Sequence, residues 1–526
     1  MSQCDVAIVG GGHNALTAAA YLARAGLTVT VLEQDDHLGG ATISAEAFPG
    51  TGARLSRYSY LVSLMPQQIR DDLGLTVELR RRRFASYTPR PDTTTGLLID
   101  THDQAATAAS FAGIGATADH AAFEDLYART GRLAEALWPT FTEPLMTRSQ
   151  ARKRLGEDAV WQEFIERPLG ETIETHLADD VVRGVVLTDG LISTYAHAHQ
   201  EDLQHNICFL YHVVGGGTGA WDVPVGGMGE IAGALEHAAR TAGAHLVTGA
   251  RVLAISGDGE IRYAHRDQEH RLQARLVLCG ASPGVLADLT GTTPPPAEGA
   301  QVKVNLLLSR LPRLRNPDVA PEAAFGGTFH INETYQQLES AYRAAAQGRV
   351  PDPVPAEIYC HSLADPSILP PDLRASGAQT LTVFALQVPH RLIDQHHHEE
   401  QRAELQRGVL RSLSSVLDEP IEDVLLRDGH GDLCVETKTT LDLEEAIGMS
   451  GGSIFHGPLS WPFAEDDDPM ESPAQRWGVS TDHERILLCG AGSRRGGGVS
   501  GLGGYHAAQA ALEILGQPTS HATLRP

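Results

Sequence analysis

The chain has 526 residues, with 41 Lys and Arg against 66 Asp and Glu and a formal net charge of -25 at pH 7. That balance argues against nucleic acid or a uniformly anionic membrane as a general partner. With 42% apolar and 20% charged residues, the composition is that of a globular chain of two or three domains, and no run approaches the ~18 apolar residues of a membrane span.

The first element is an apolar strand at 6–9, followed by Gly10, Gly12 and Ala15 in G-x-G-x-x-A spacing, a helix that runs to Gly26, and a strand at 27–32 that ends before Glu33. In a βαβ unit of this kind the first glycine makes the tight turn and the second admits backbone to a pyrophosphate at the helix N-terminus. The terminal acid accepts from a ribose. The N-terminus enters this strand directly, with no cationic leader before an apolar stretch, so the expected location is the cytoplasm. A turn at 34–42 carries Gly39 and Gly40, and 56–65 is aromatic and apolar. The basic run 80–83 reads as a solvated face.

Residues 103–214 are mainly helical in pattern, with amphipathic runs at 120–137 and 160–177, the second interrupted at Pro168. Residues 224–229 (PVGGMG) lead a helix that Gly243 stops, 245–255 reads as a strand pair containing Val252, and 275–280 is another strand. Between 302 and 443, strands (302–308, 356–361, 380–388) mix with helices (334–347, 399–417), and the Pro-rich pieces 348–355 and 458–480 read as loops. The far end, 486–511, is an apolar strand, a glycine-rich loop with Gly490, Gly492, Gly497 and Gly498, and the start of an apolar helix. It completes the nucleotide site that the first forty residues begin.

Six scattered cysteines without a C-x-x-C pair read as reduced, mostly buried thiols. His197 with His199, and the HHHEE run at 396–400, lack a third ligand or fit a solvated helix start, so no metal is expected. Trp221, Tyr58, Tyr60, Tyr195 and Tyr211 either line an apolar channel or pack the core.

The N-terminal unit, the LGGAT turn at 38–42, PVGGMG with Val252 downstream, and the glycine loop together resemble the phytoene desaturase-like flavoproteins, within the amine-oxidase-type FAD fold. The segments SRYSYLVS (56–63), KVNL (303–306), GTFHI (327–331) and GSIFHG (452–457) are similar to the branch around pyridine nucleotide-disulfide oxidoreductase domain-containing protein 2. The resemblance covers nearly the whole chain. It implies an α/β plus α+β architecture: a discontinuous Rossmann-type FAD-binding domain (1–75, 218–300, 475–526) with an inserted mixed-sheet and helical substrate domain (76–217, 301–474).

It also implies non-covalent FAD, with Gly10, Gly12 and Ala15 at the pyrophosphate and Glu33 at the adenosine ribose. Gly39 and Gly40 would pass the cofactor, Val252 would meet adenine, Gly490 and Gly492 would border the ribityl, and Gly497, Gly498 and Val499 would lie against the flavin. The helix from about Gly501 would aim its N-terminus at the ring. No second G-x-G-x-x-G follows a strand, so the electron donor or acceptor is expected to be external.

One departure stands out. The family loop reads Gly-x-Gly-Thr-His-Pro, and here Arg494 and Arg495 replace its last two residues. They either pair acids or bind an anionic group of the substrate beside the flavin. Lys303 is either an exposed strand entrance or a proton-relaying lysine near the flavin. His330, Tyr505 and His506 are further proton-transfer candidates, with structural roles as the alternative.

The expected activity is oxidation or reduction of a carbon–carbon bond (desaturation, or reduction or isomerisation through reduced FAD) in an elongated apolar, amphiphilic or polyene substrate. Membrane contact would be peripheral at most. An amine or amino-acid oxidase and a non-catalytic FAD-binding partner protein remain open.

Overall fold

The computed structural model describes residues 2–519; positions 1 and 520–526 of the expected cofactor domain lie outside them. Strand β1 (Ser2–Val9) buries its second half, and helix α1 (His13–Arg24), almost wholly buried, lies between the C-terminal helix Leu502–Ile514 and the helix Gly229–Thr241. Strand β2 (Val29–Leu32) pairs with β1 in parallel, Val6 opposite Val29. On the other side β1 pairs in parallel with Gln268–Cys279, Val6 opposite Leu276. That strand is paired in parallel with Ile486–Leu488 at its far end, so the two ends of the chain share one sheet. The all-apolar runs at 6–9, 276–279 and 486–488 are what a parallel sheet covered on both faces requires.

Residues 245–255 do form two strands, but not a pair. His245–Val247 extends β2 in parallel, whereas Ala250–Ile255 turns away to pair antiparallel with Glu260–His265. The strand expected at 275–280 reaches back to Gln268, because its first half pairs with Glu260–His265.

A second seven-stranded sheet runs in the order Val435–Lys438, Gln301–Leu308, Gln379–Leu386, Ala356–Tyr359, Thr328–Ile331, Phe84–Pro89, Gly96–Asp100. All of its pairs are antiparallel except Thr328–Ile331 with Phe84–Pro89. Strand Gln301–Leu308 is buried at every position, which fits its central place. The helices Thr117–Leu137 and Gln204–Val214 pack on each other, and Asp180–Thr188 packs on Tyr335–Ala346. The run 158–177 is broken where Pro168 stands, after a π turn at Gln162–Glu166. Among the described residues no helix is long and apolar enough to cross a membrane.

Candidate functional site

A cavity of about 530 Å³ runs from the end of β1 to the second sheet. At its first end Gly10 turns with φ +87°, and Gly12 caps α1 without any side-chain hydrogen bond to the helix. A Cβ added at Gly12 would meet nothing within 4 Å, so the N–H groups of the first turn face open space. Glu33 accepts from the Gly11 N–H at 2.6 Å and the Asp35 N–H at 2.9 Å, and burial pushes its carboxyl up. Glu33, Ala15, Gly40 and Val252 line the cavity with Gly10 and Gly12. An uncapped helix N-terminus beside a glycine turn, with an acid beyond it, fits a dinucleotide.

Gly39 does not line the cavity. Its N–H bonds Gly11 O at 2.9 Å, and a Cβ there would press on Ile43 and Ala232. The glycine loop divides likewise. Gly498 and Val499 line the cavity together with Ala491. Gly490, Gly492 and Gly497 do not: side chains there would strike Gly280 O, Pro283 and Leu459, so their absence permits close packing. The C-terminal helix is seated the same way, with Gly503 against the 490–493 turn and Gly504 against the backbone of α1.

Two residues that the sequence reading passed over tie these pieces together. His13 Nδ1 lies 3.0 Å from Thr42 Oγ1 and its Nε2 lies 3.2 Å from Gly498 O, while Asn14 Nδ2 donates to Gly496 O at 3.5 Å. Burial lowers the His13 pKa to about 4, so the ring is neutral. The signal was present as the polar HN pair directly after G-G-G.

Toward the second sheet the cavity becomes aromatic and apolar, with Tyr60, Leu61, Leu64, Ile192, Tyr211, Trp221 and Phe384 in its wall. Lys303 is in this wall and only 2% exposed, not at an open strand entrance. Its Nζ donates to Ser56 O and Tyr58 O, both at 2.9 Å, and lies 5.0 Å from the Tyr60 ring centroid. Burial holds its pKa well below 10.5. Tyr58 also lines the cavity, whereas Tyr195 stacks on Tyr342 outside it.

The two loop arginines are not at this wall. Arg495 is fully buried with φ +64°, and its Nη1 donates to Thr140 O at 3.0 Å and Glu143 O at 2.9 Å. Arg494 donates to Phe463 O at 2.8 Å and pairs with Asp468 at 3.3 Å. Both serve neighbouring segments, and neither lines the cavity although Ala491, Gly498 and Val499 on either side of them do. Tyr505 and His506 also miss it: Tyr505 packs on Tyr21 and Trp477, and His506 bonds Phe141 O at 2.6 Å.

His330 stands one layer behind the wall, its Nδ1 3.1 Å from Thr88 Oγ1. It joins an acid pair, the donor atoms of His330, Glu333 and Glu357 lying within 4.8 Å of one another. Thr188 Oγ1 donates to Glu333 at 2.8 Å, and the Tyr359 hydroxyl, whose residue lines the cavity, donates to Glu357. Burial raises both carboxyls, with repulsion from Glu357 adding at Glu333 and from Asp189 at Glu357, and their closeness gives the set the chemistry of a pair sharing a proton.

The basic run at 80–83 is also not a uniform solvated face. Arg80, Arg81 and Arg83 are exposed and paired with Glu78, Asp222 and Asp100, whereas Arg82 turns into the cavity wall. Its Nη1 donates to Thr328 Oγ1 at 3.1 Å, its Nε is buried without an acceptor, and its CZ lies 5.7 Å from the Tyr359 ring.

The family described as NAD(P)-binding Rossmann-like domain matches residues 8–71. Uncharacterized protein Rv0897c of Mycobacterium tuberculosis is 54% identical over 97% of both chains. Pyridine nucleotide-disulfide oxidoreductase domain-containing protein 2 of Rattus norvegicus is 27% identical over 98% of this chain and 94% of its own. A structure of wild-type putrescine oxidase bound to putrescine has a TM-score of 0.56 at 17% identity, covering 98% of this chain and 99% of that one. The shared architecture is the amine-oxidase-type fold of FAD-dependent oxidoreductases.

Proposed function

The chain belongs to one family with the mycobacterial protein that it matches end to end, and from that premise we propose that it is an FAD-dependent oxidoreductase acting on a carbon–carbon bond of an elongated, largely apolar substrate. It works as a desaturase or, from reduced FAD, as a polyene reductase or isomerase. The observation that carries this reading is the continuity of one cavity from the dinucleotide turn, past Gly498 and Val499, into an aromatic and apolar chamber. Such a chamber excludes water and aligns an extended chain by shape.

Gly10, Gly12 and Ala15 would hold the FAD pyrophosphate, Glu33 the ribose and Val252 the adenine, with Gly498 and Val499 beside the ring system. When bound, FAD supplies two-electron redox chemistry, exchanged with an external carrier. The chain's own groups do the rest. Lys303, fixed by two carbonyls and held toward its neutral form, is an amine able to take or give a proton in the wall. Tyr359 lies between the cavity and Glu357 and passes a proton to or from the buried acid pair.

A second reading, an amine oxidase, draws on the substrate named for the putrescine oxidase neighbour. The guanidinium of Arg82 in the wall opposes a cationic amine there. Anaerobic titration of the purified protein separates the two. Flavin bleaching by saturated lipids, or reoxidation of the photoreduced protein by a polyene, supports the proposal. Bleaching by amines alone, followed by peroxide release in air, would move the chain to the amine oxidases, and failure to copurify with or rebind FAD would overturn both.

A further inference from the structure

Arg82 is a charged group in the chamber wall whose chemistry the redox reading leaves unused. We infer that it grips the head of the substrate, so that the ligand is a long-chain carboxylate whose apolar tail runs from Arg82 toward Gly498 and Val499. The inference rests on the proposed apolar substrate and adds the charge of its end.

Three observations carry it. Among the described residues no carboxylate lies within 4.0 Å of the Arg82 nitrogens, although its three arginine neighbours in sequence are all paired. One donor is used by Thr328 Oγ1, and the buried Nε–H has no acceptor. The Nε–H itself is closed to solvent, but the Nη side of the guanidinium lines the cavity without a carboxylate partner, and an oxyanion entering there would pair with it. The walls between Arg82 and the glycine loop, including Tyr60, Leu61, Leu64 and Phe384, offer a chain mainly apolar or aromatic surface, with the Lys303 amine set among it.

The surroundings favour a single negative charge. Glu357 lies within Coulombic reach of both Arg82 and Glu333. A monoanion is balanced by the guanidinium while the acid pair keeps its proton; a phosphate dianion would face one cation and two acids. The loop arginines do not take this role, since neither lines the cavity: Arg495 Nη1 is held by two backbone carbonyls, and Arg494 by Phe463 O and Asp468.

The test compares a fluorescent polyene fatty acid with the alcohol of the same chain, titrated into FAD-loaded wild-type protein, Arg82→Met and Arg82→Lys. The wild type should prefer the acid. Arg82→Met should weaken the acid by about 10-fold to 100-fold, the range for one charge-assisted hydrogen-bonded pair, and leave the alcohol within about threefold; Arg82→Lys should fall between. Equal binding of acid and alcohol by the wild type, or equal losses for both in Arg82→Met, would overturn the carboxylate anchor and leave the apolar substrate standing. Binding of neither by the wild type would overturn both. The wild-type comparison decides even if a variant folds poorly, and FAD content and melting temperature monitor the variants.

Discussion

Gly504→Ala probes the seam on which the cofactor cleft is built. The glycine lies where the C-terminal helix crosses α1, and an added Cβ would overlap the carbonyl oxygen of Asn14, 2.7 Å from its carbon and 3.0 Å from Ala18 N. All three atoms are backbone, so no side-chain rotation relieves the clash. The oxygen lies only 1.8 Å from the added carbon, and C···O contacts prefer about 3.3–3.6 Å, so the helices must part by roughly 1.5 Å. Overpacking of this kind costs typically about 1–3 kcal/mol, and a backbone clash belongs at the upper end.

For 526 residues the unfolding entropy is about 1.1 kcal/mol per kelvin, so a cost of about 3 kcal/mol lowers the melting temperature by about 3 °C. Cofactor affinity should fall as well, because the His13–Gly498 and Asn14–Gly496 links cross the same seam. Gly233→Ala is the control: it is a helical position where a Cβ meets nothing within 4 Å, and alanine there should stabilise by about 0.5–1 kcal/mol. Thermal melts of both variants with and without FAD, and FAD retention on dialysis, provide the measurement. If Gly504→Ala melts and retains FAD like Gly233→Ala, the close crossing is wrong.

Lys303→Met should keep FAD but lower turnover about 100-fold or more. Because burial holds the folded pKa well below 10.5, the unfolded chain binds more protons between those values and this group's contribution to stability rises with pH; the slope should vanish in the variant, and equal slopes in urea melts would refute the burial. Glu357→Gln should gain stability relative to wild type from about pH 5 to about pH 8, since a raised carboxyl contributes stability below its unfolded pKa and loses it as pH rises through the folded one; a constant difference in urea melts would remove the proton-sharing pair. Arg495→Ala should destabilise by about 3 kcal/mol through the orphaned carbonyls of Thr140 and Glu143, without altering the acid-to-alcohol binding ratio; a selective loss of acid binding would return the anchor to the loop.

The dinucleotide half of the cleft was legible because its determinants are local. The turn, the uncapped helix start and the acid after β2 fall within thirty-odd residues, and the glycines at Gly10 and Gly12 answer to backbone geometry alone. The all-apolar strand at 486–488 also announced its place in a buried parallel sheet. What local pattern did not carry was partnership across the chain. Strand Phe84–Pro89 acquires its position from Thr328–Ile331, more than two hundred residues later, and residues 245–255 looked like a pair because each strand is apolar, although their partners lie elsewhere.

The arginines show the limit most sharply. Arg494 and Arg495 stand beside glycines that line the cleft, and sequence adjacency placed them at the flavin; one residue at φ +64° instead delivers the second guanidinium to carbonyls contributed by residues 140 and 143. The run 80–83 concealed the opposite case. Strand Leu79–Arg81 ends here and the chain bends at Arg83 before Phe84–Pro89 begins, so Arg80, Arg81 and Arg83 reach solvent and the acids there while Arg82 turns to the cavity. An inward-turning position is normally read from a change of residue type, and four identical residues have none to read. The charge that belongs in an apolar chamber is thus written in the one composition where patterning is silent, and only the pairing of Phe84–Pro89 with Thr328–Ile331 brings Thr328 and the chamber wall to it.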